Sequence, residues 1–222
     1  MTNFLLLFDL DGTLIDSVPD LTSSLNEVLR EHGYSPLSRD EVAPMVGDGV
    51  PILVARAFAA RGGSAEEAAA TLPHYVKVYE SKATELTRPY PGVRDTLVEL
   101  RRRGYRCAIC TNKLQQATLR VLGGLGLADL FDGIAGGDHY PVRKPDGGHL
   151  TRLVDELGGE VARSVMIGDS ENDAAAAHDA RVPVIMMRYG YARIDPATLG
   201  GVALLDRFDE LPAALERLGF TP

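Results

Sequence analysis

The sequence predicts an α/β fold: a doubly wound parallel sheet core with a small inserted α-helical cap domain. Three observations carry this. Short apolar runs alternate with amphipathic helical patterns, as strands covered on both faces and linked by helices do. One stretch, 17–87, breaks the alternation and reads as helical throughout. Several apolar runs end directly in polar, chemistry-bearing residues, and open α/β sheets hold ligands at the carboxyl ends of their strands. The expected division is a core of 1–16 and 88–222 and a cap of 17–87.

The elements follow in order. Residues 4–8 form an apolar run that reads as a buried first strand. Inside the insertion, Leu21, Leu25, Val28 and Leu29 have helical spacing, as do Ile52, Leu53, Arg56, Ala57 and Ala60. Residues 64–79 are rich in Ala and Glu. Asp16-Ser17-Val18-Pro19 and Arg88-Pro89-Tyr90-Pro91-Gly92 punctuate the two crossings, because Pro and Gly stop helices and stiffen linkers. Beyond them, 106–110, 165–167 and 182–187 read as further strands, with 134–136 a short one. Helical patterns occupy 93–103, 114–122, 150–157 and 172–180, and 208–218 reads as a closing helix.

Composition bounds the function. The chain has 222 residues, 45% hydrophobic and 24% charged, enough for one ordinary core plus an insertion. The formal net charge is −8, which repels nucleic acid and anionic membranes. Trp is absent and aromatics are 6%, a poor basis for base stacking. The basic run Arg101-Arg102-Arg103 with Arg106 reads as a helix end complemented by cations. No apolar run approaches the roughly 18 residues of a membrane span. A cytoplasmic protein, monomer or homodimer, with no nucleic-acid or membrane partner is expected. Cys107 and Cys110 lie within a strand-like run, so their odd spacing points them to opposite faces rather than into a redox pair.

Four motifs carry chemistry. The first strand runs into Asp9-Leu10-Asp11-Gly12-Thr13. Two carboxylates spaced i, i+2 at a strand end can serve as nucleophile and as acid and base, and Gly12 lets the chain turn sharply. The second strand ends in Thr111-Asn112, whose hydroxyl, amide and backbone N–H groups suit phosphate. Gly12, Thr111 and Asn112 are expected substrate contacts. Lys144-Pro145 offers a cation at a loop; by itself it reads as a solvated surface lysine. A fourth run ends in Gly168-Asp169-Ser170-Glu171-Asn172-Asp173, which also reads as an Asp N-cap followed by a polar first turn. Asp9, Asp11, Asp169 and Asp173 together repel one another, so a cation must offset them. Hard oxygen ligands suit Mg²⁺, and metal-assisted phosphoryl transfer on a small phosphate ester is expected.

Taken in this order, the four motifs resemble the haloacid dehalogenase superfamily in its phosphatase branch, over nearly the whole chain. The resemblance implies a Rossmann-like core with the small helical cap type. Asp16-Ser17, Tyr90-Pro91-Gly92-Val93, Gly136-Gly137-Asp138 and Gly190-Tyr191 narrow it to the phosphoglycolate phosphatases. It implies that Asp9 attacks phosphorus and forms an aspartyl phosphate. Asp11 protonates the leaving alkoxide, then deprotonates water. Thr111 and the Asn112 backbone hold phosphate oxygens, and Lys144 neutralises charge. Mg²⁺ sits on the Asp9 carboxylate, the Asp11 main-chain carbonyl and Asp169, while Asp173 orients Lys144 or a metal water. Two places depart from the family pattern, Asp146-Gly147 after the third motif and Asp48 in the cap loop.

The expected substrate is 2-phosphoglycolate, with a sugar-phosphate phosphatase or phosphomutase as the alternative. Its carboxylate needs a cation or N–H groups. Arg56, with Arg143, and Gly49 in the 47–49 loop are the candidates. Asp48 fits such a substrate only if it turns away. A C–halogen hydrolase needs no second acid like Asp11. A phosphonate hydrolase needs a cap lysine, and none precedes Lys77. A non-catalytic phosphoacceptor module shares strand-end acids, a Thr and a Lys but lacks a helical insertion.

Overall fold

The structure, a computed structural model, describes residues 4–222. β1 (Leu5–Phe8) is four consecutive buried apolar residues. Leu5 and Leu7 pack on one face, Leu6 and Phe8 on the other, as the two-residue period of a strand requires. A tight turn leads to β2 (Ile15–Asp16), and the chain then leaves the sheet through α1 (Val18–Glu31), α2 (Arg39–Val42), α3 (Val50–Ala59) and α4 (Ala65–Lys82). It returns along β3 (Arg88–Pro89), antiparallel to β2. Then come α5 (Val93–Arg102), β4 (Arg106–Cys110), α6 (Gln115–Gly124), β5 (Gly133–Ala135), α7 (Gly148–Glu156), β6 (Ser164–Gly168), α8 (Glu171–Asp179), β7 (Val184–Met187), β8 (Ala203–Leu205) and α9 (Leu211–Arg217).

The main sheet has the order β5-β4-β1-β6-β7-β8, and every neighbouring pair is parallel. Strand order reverses at β1, so the ends of β4, β1 and β6 form adjacent edges of one crevice. This is the α/β fold the sequence predicts. Cys107 and Cys110 are free, buried, and packed into opposite apolar clusters.

In the insertion, α4 packs against α1 and α3. Ser64 and Glu67 form a capping box at the start of α4. That box satisfies the first orphan donors, and the helix continues through Pro73 to Lys82. The buried face of α3 differs from the one the spacing suggests. Leu53, Val54, Ala57 and Phe58 point inward, while Ile52 is exposed. Phe58 sets that rotation by meeting the rings of His32 and Tyr34 edge-on. The buried Asp20 at the start of α1 accepts the Thr87 N–H at 2.8 Å and its hydroxyl at 2.6 Å, tying the exit of the excursion to its entry.

Three features elude the sequence pattern. β8 has only three residues and forms an edge of the sheet. β2 and β3 have two each. The expected closing helix divides into a 3-10 turn at Phe208–Glu210 and α9, with Pro212 in the first turn, where its missing N–H costs nothing. In the basic run, Arg102 and Arg103 close on Glu99 and Arg101 on Asp132. Among the described residues no helix is long and apolar enough to cross a membrane.

Candidate active site

The first motif begins where β1 ends. The Asp9 N–H still donates to the Ile167 carbonyl at 2.9 Å, so the residue is fixed as an extension of the sheet. The chain then doubles back, with the Gly12 N–H donating to the Ile15 carbonyl. Gly12 has φ +89°, and a Cβ there would lie 2.4 Å from Asp169 Oδ2. Both facts demand glycine. Gly12, expected beside substrate, is thus packed against Asp169. Thr13 donates its hydroxyl to Asp169 Oδ1 at 2.6 Å.

Asp169 follows β6. Its other oxygen accepts the Tyr191 N–H at 2.7 Å. It is not the helix N-cap: Ser170 takes that place, with Asp173 as its capping-box partner. Asp173 Oδ2 accepts from Ser170 N–H at 3.0 Å and Ser170 Oγ–H at 2.7 Å. Its Oδ1 accepts from Lys144 Nζ at 2.6 Å. Lys144 is only 2% exposed, so the solvated-lysine reading fails. Burial works against its ammonium, but Asp173 and Asp9 hold it charged well above the ordinary lysine range.

Carboxylate oxygens of Asp9, Asp169 and Asp173 all lie within 4.8 Å of one another. Burial, then the neighbouring Asp173, push Asp9 up to about 6, against the pull of Lys144. Burial, then Asp173 and Asp9, raise Asp169 well above the usual carboxylate range. Lys144 ion-pairs with Asp9 Oδ1 at 3.0 Å, yet Oδ1 is buried without a well-directed hydrogen-bond donor. One ammonium facing three buried acids leaves negative charge uncompensated. The donor set is all oxygen and fits a hard divalent cation. The Asp11 carboxylate stands outside this cluster, ion-paired with Lys113 Nζ at 3.1 Å.

Thr111 follows β4, its N–H donating to the Ala135 carbonyl at 3.0 Å. The Asn112 side-chain amide donates to the Lys144 carbonyl at 2.8 Å and the Gly47 carbonyl at 2.9 Å. It braces the third motif and the 47–49 loop, leaving its backbone for a ligand. A cavity opens between sheet and insertion, about 420 Å³ including its mouth. Asp9, Asp11, Thr111, Asn112 and Lys113 line one side. Leu21, Val46, Gly47, Gly49, Val50 and Leu53 line the other.

Gly49 therefore lines this cavity, and Arg56 does not. Arg56 pairs with Asp48 at 2.6 Å and donates to the Met45 carbonyl. It lines a neighbouring surface depression with Arg143 and Arg193. Asp48 turns away from the cavity toward Arg56, Arg193 and Asn172. Partial burial works the other way, but those partners hold its carboxyl well below the usual range. Sequence reasoning overlooked Lys113, although it directly follows Thr111-Asn112 and is one of only four lysines. It also overlooked Thr13 and the Tyr191 backbone as supports of Asp169.

The family model for haloacid dehalogenase-like hydrolases matches residues 6–187. A phosphoglycolate phosphatase of Rhodospirillum rubrum is 43% identical over 229 residues, covering 97% of this chain and 95% of the relative. One from Caulobacter vibrioides is 40% identical over 209 residues, covering 93% and 88%. A crystal structure of a predicted phosphoglycolate phosphatase from Haemophilus somnus 129pt superposes with a TM-score of 0.91 at 29% identity, covering 96% of this chain and 98% of that one. Sequence and fold thus agree along nearly the whole length, and the chain belongs to the haloacid dehalogenase-like hydrolases.

Proposed function

We propose that this hydrolase cleaves a small phosphate monoester, 2-phosphoglycolate, to glycolate and phosphate through an aspartyl phosphate on Asp9. The observation that carries the reading is the double position of Asp9. It belongs to the buried acid cluster and, unlike Asp169 and Asp173, it also lines the cavity. A carboxylate held at both places can attack a phosphorus atom delivered from the cavity.

The Asp9 carboxylate forms a bond to phosphorus as the ester P–O bond breaks, and Asp11 gives the leaving oxygen its proton. Asp11 then takes a proton from water, which attacks the same phosphorus and releases phosphate and free Asp9. The Thr111 hydroxyl and the Asn112 backbone N–H hold phosphoryl oxygens. Lys144, positioned by Asp173, offsets charge on Asp9 and the phosphoryl group. Asp9, Asp169 and the Asp11 main-chain carbonyl would hold Mg²⁺, which supplies charge neutralisation at the transferring group. We assign 17–87 as a cap that closes over the substrate and excludes water, and 1–16 with 88–222 as the catalytic core. We further propose a cytoplasmic monomer or homodimer acting on free small molecules, consistent with the net charge of −8.

The names of the relatives and the lining of the cavity support the substrate. The insertion side is apolar, without a hydroxyl-binding cluster for a sugar. The test is kcat/KM with Mg²⁺ for 2-phosphoglycolate, ethyl phosphate, glycerol phosphate and glucose phosphates. 2-Phosphoglycolate should lead by roughly tenfold or more, the worth of one charge-assisted contact. A preferred sugar phosphate sinks the substrate and leaves the phosphatase standing.

A further inference from the structure

Lys113 has no part in the steps above, yet it is a buried cation on the wall of the cavity, 6% exposed. Its Nζ lies 3.2 and 3.1 Å from the two Asp11 oxygens. The ring of Tyr79, from α4, covers it at 4.6 Å from Nζ to centroid. A charge in such surroundings is costly unless it is paired. Asp11 pairs it, and those two partners keep the ammonium charged above the ordinary lysine range against the effect of burial. No other cation lines this cavity among the described residues. Asp48 holds both Arg56 and Arg193, and Arg143, whose guanidinium would lie 3.5 Å from a Cβ on Gly49, lines the neighbouring depression and not this cavity.

We propose that Lys113 is the specificity-determining residue that binds the carboxylate of the substrate, a reading that rests on the proposed hydrolysis of 2-phosphoglycolate. The chemistry of that molecule fixes the reach. Its carboxyl carbon is two bonds from the ester oxygen. Asp11 must touch the ester oxygen to protonate it, and Lys113 touches Asp11. A cation in contact with the acid stands where an α-carboxylate arrives, and where a carboxylate one methylene further along does not. An ammonium carries three donors, enough for Asp11 and a second acceptor. The side chains of the opposite wall, Leu21, Val46, Val50 and Leu53, are apolar and leave only the Gly47 and Gly49 backbone as a further, uncharged partner. An ester of the same size without the carboxylate therefore forgoes its strongest contact.

The experiment compares Lys113→Met, Lys113→Gln and Lys113→Arg with wild type on three esters: 2-phosphoglycolate, 3-phosphopropanoate and ethyl phosphate. Wild type should rank them in that order by kcat/KM. Lys113→Met and Lys113→Gln should lower 2-phosphoglycolate turnover roughly tenfold or more beyond any loss in ethyl phosphate turnover, as expected for a lost charge-assisted hydrogen bond. Lys113→Arg, which keeps the charge, should retain part of the preference. If Met and Gln both reduce the two esters equally, including by unfolding, Lys113 serves Asp11 or the fold, and the proposal is overturned. The same holds if either variant keeps the wild-type preference. If wild type itself does not favour 2-phosphoglycolate over ethyl phosphate, the substrate reading has failed, a result visible before any variant is made.

Discussion

The two walls of the cavity are built from opposite materials. The sheet side presents Asp9, Asp11, Thr111, Asn112 and Lys113, and the insertion side presents Leu21, Val46, Val50, Leu53 and two glycines. Sheet-side residues are positioned by the strand ladder itself, through Asp9 N–H to Ile167 and Thr111 N–H to Ala135. The insertion meets them at the Gly47 carbonyl, which accepts from Asn112 at 2.9 Å and Asn172 at 3.1 Å. The groups proposed to react sit on rigid strand ends, and the side proposed to close over the substrate carries shape and apolar surface. Substitutions on the first wall should therefore act on kcat, and those on the second on KM.

The largest effect tests the first wall at its centre. Asp9→Asn should lower kcat by roughly four orders of magnitude or more, because an amide is a poor nucleophile. Its thermal midpoint without metal should match or exceed that of wild type, because the substitution removes one of three mutually repelling buried acids. Kinetics and a melt on the purified, undeamidated variant check both. Turnover within tenfold of wild type would remove Asp9 from the chemistry and erase the distinction between the walls.

The same cluster predicts how metal and pH interact. Asp9 is pushed from an ordinary 3.8 up to about 6 in the fold, and Asp169 moves the same way. The folded state then holds protons that the unfolded chain releases. For Asp9 the stability this contributes is full below about pH 3.8 and is lost as pH rises through about 6. A divalent cation offsets the repulsion of the ionised acids. Added Mg²⁺ should raise the melting temperature little at pH 5 and by several degrees, on the order of 1 kcal/mol, at pH 7.5. In Asp169→Ala the gain should shrink at every pH. A gain independent of pH would show that the ion binds away from these acids.

The sequence disclosed the sheet-side wall far better than the other. Asp9 and Asp169 each follow an unbroken apolar run, and in a parallel sheet adjacent run ends converge. Lys144 was legible only in company, since a lysine before proline is ordinarily solvated. Lys113 was hidden because its burial depends on Tyr79, supplied by a helix of the insertion, and no local pattern records that contact. Arg56 was misplaced for a similar reason. Helical spacing locates a residue on a helix but does not reveal that Asp48, in the loop before α3, captures its guanidinium. The reading of Asp169 as a cap failed by one position, because Ser170 with Asp173 makes the reciprocal box that Asp169 cannot make while holding Thr13 and Tyr191.

The smallest expected effect lies behind the second wall and sharpens the comparison most finely. Asp48 faces away from the cavity and bridges insertion to core through Arg193 and Asn172. Its side chain is 22% exposed, so its ion pairs are partly screened and each contributes about 0–1 kcal/mol. The Gly47 carbonyl still joins the two sides when Asp48 is gone. Asp48→Ala should therefore raise KM for 2-phosphoglycolate by about threefold to fivefold and leave kcat within about twofold. Added salt should raise the wild-type KM toward that of the variant while moving the variant less, because salt weakens the pairs only where they exist. Steady-state kinetics at low and high ionic strength measure both trends. A hundredfold fall in kcat would place Asp48 among the reacting groups, and the apolar wall would no longer be free of chemistry.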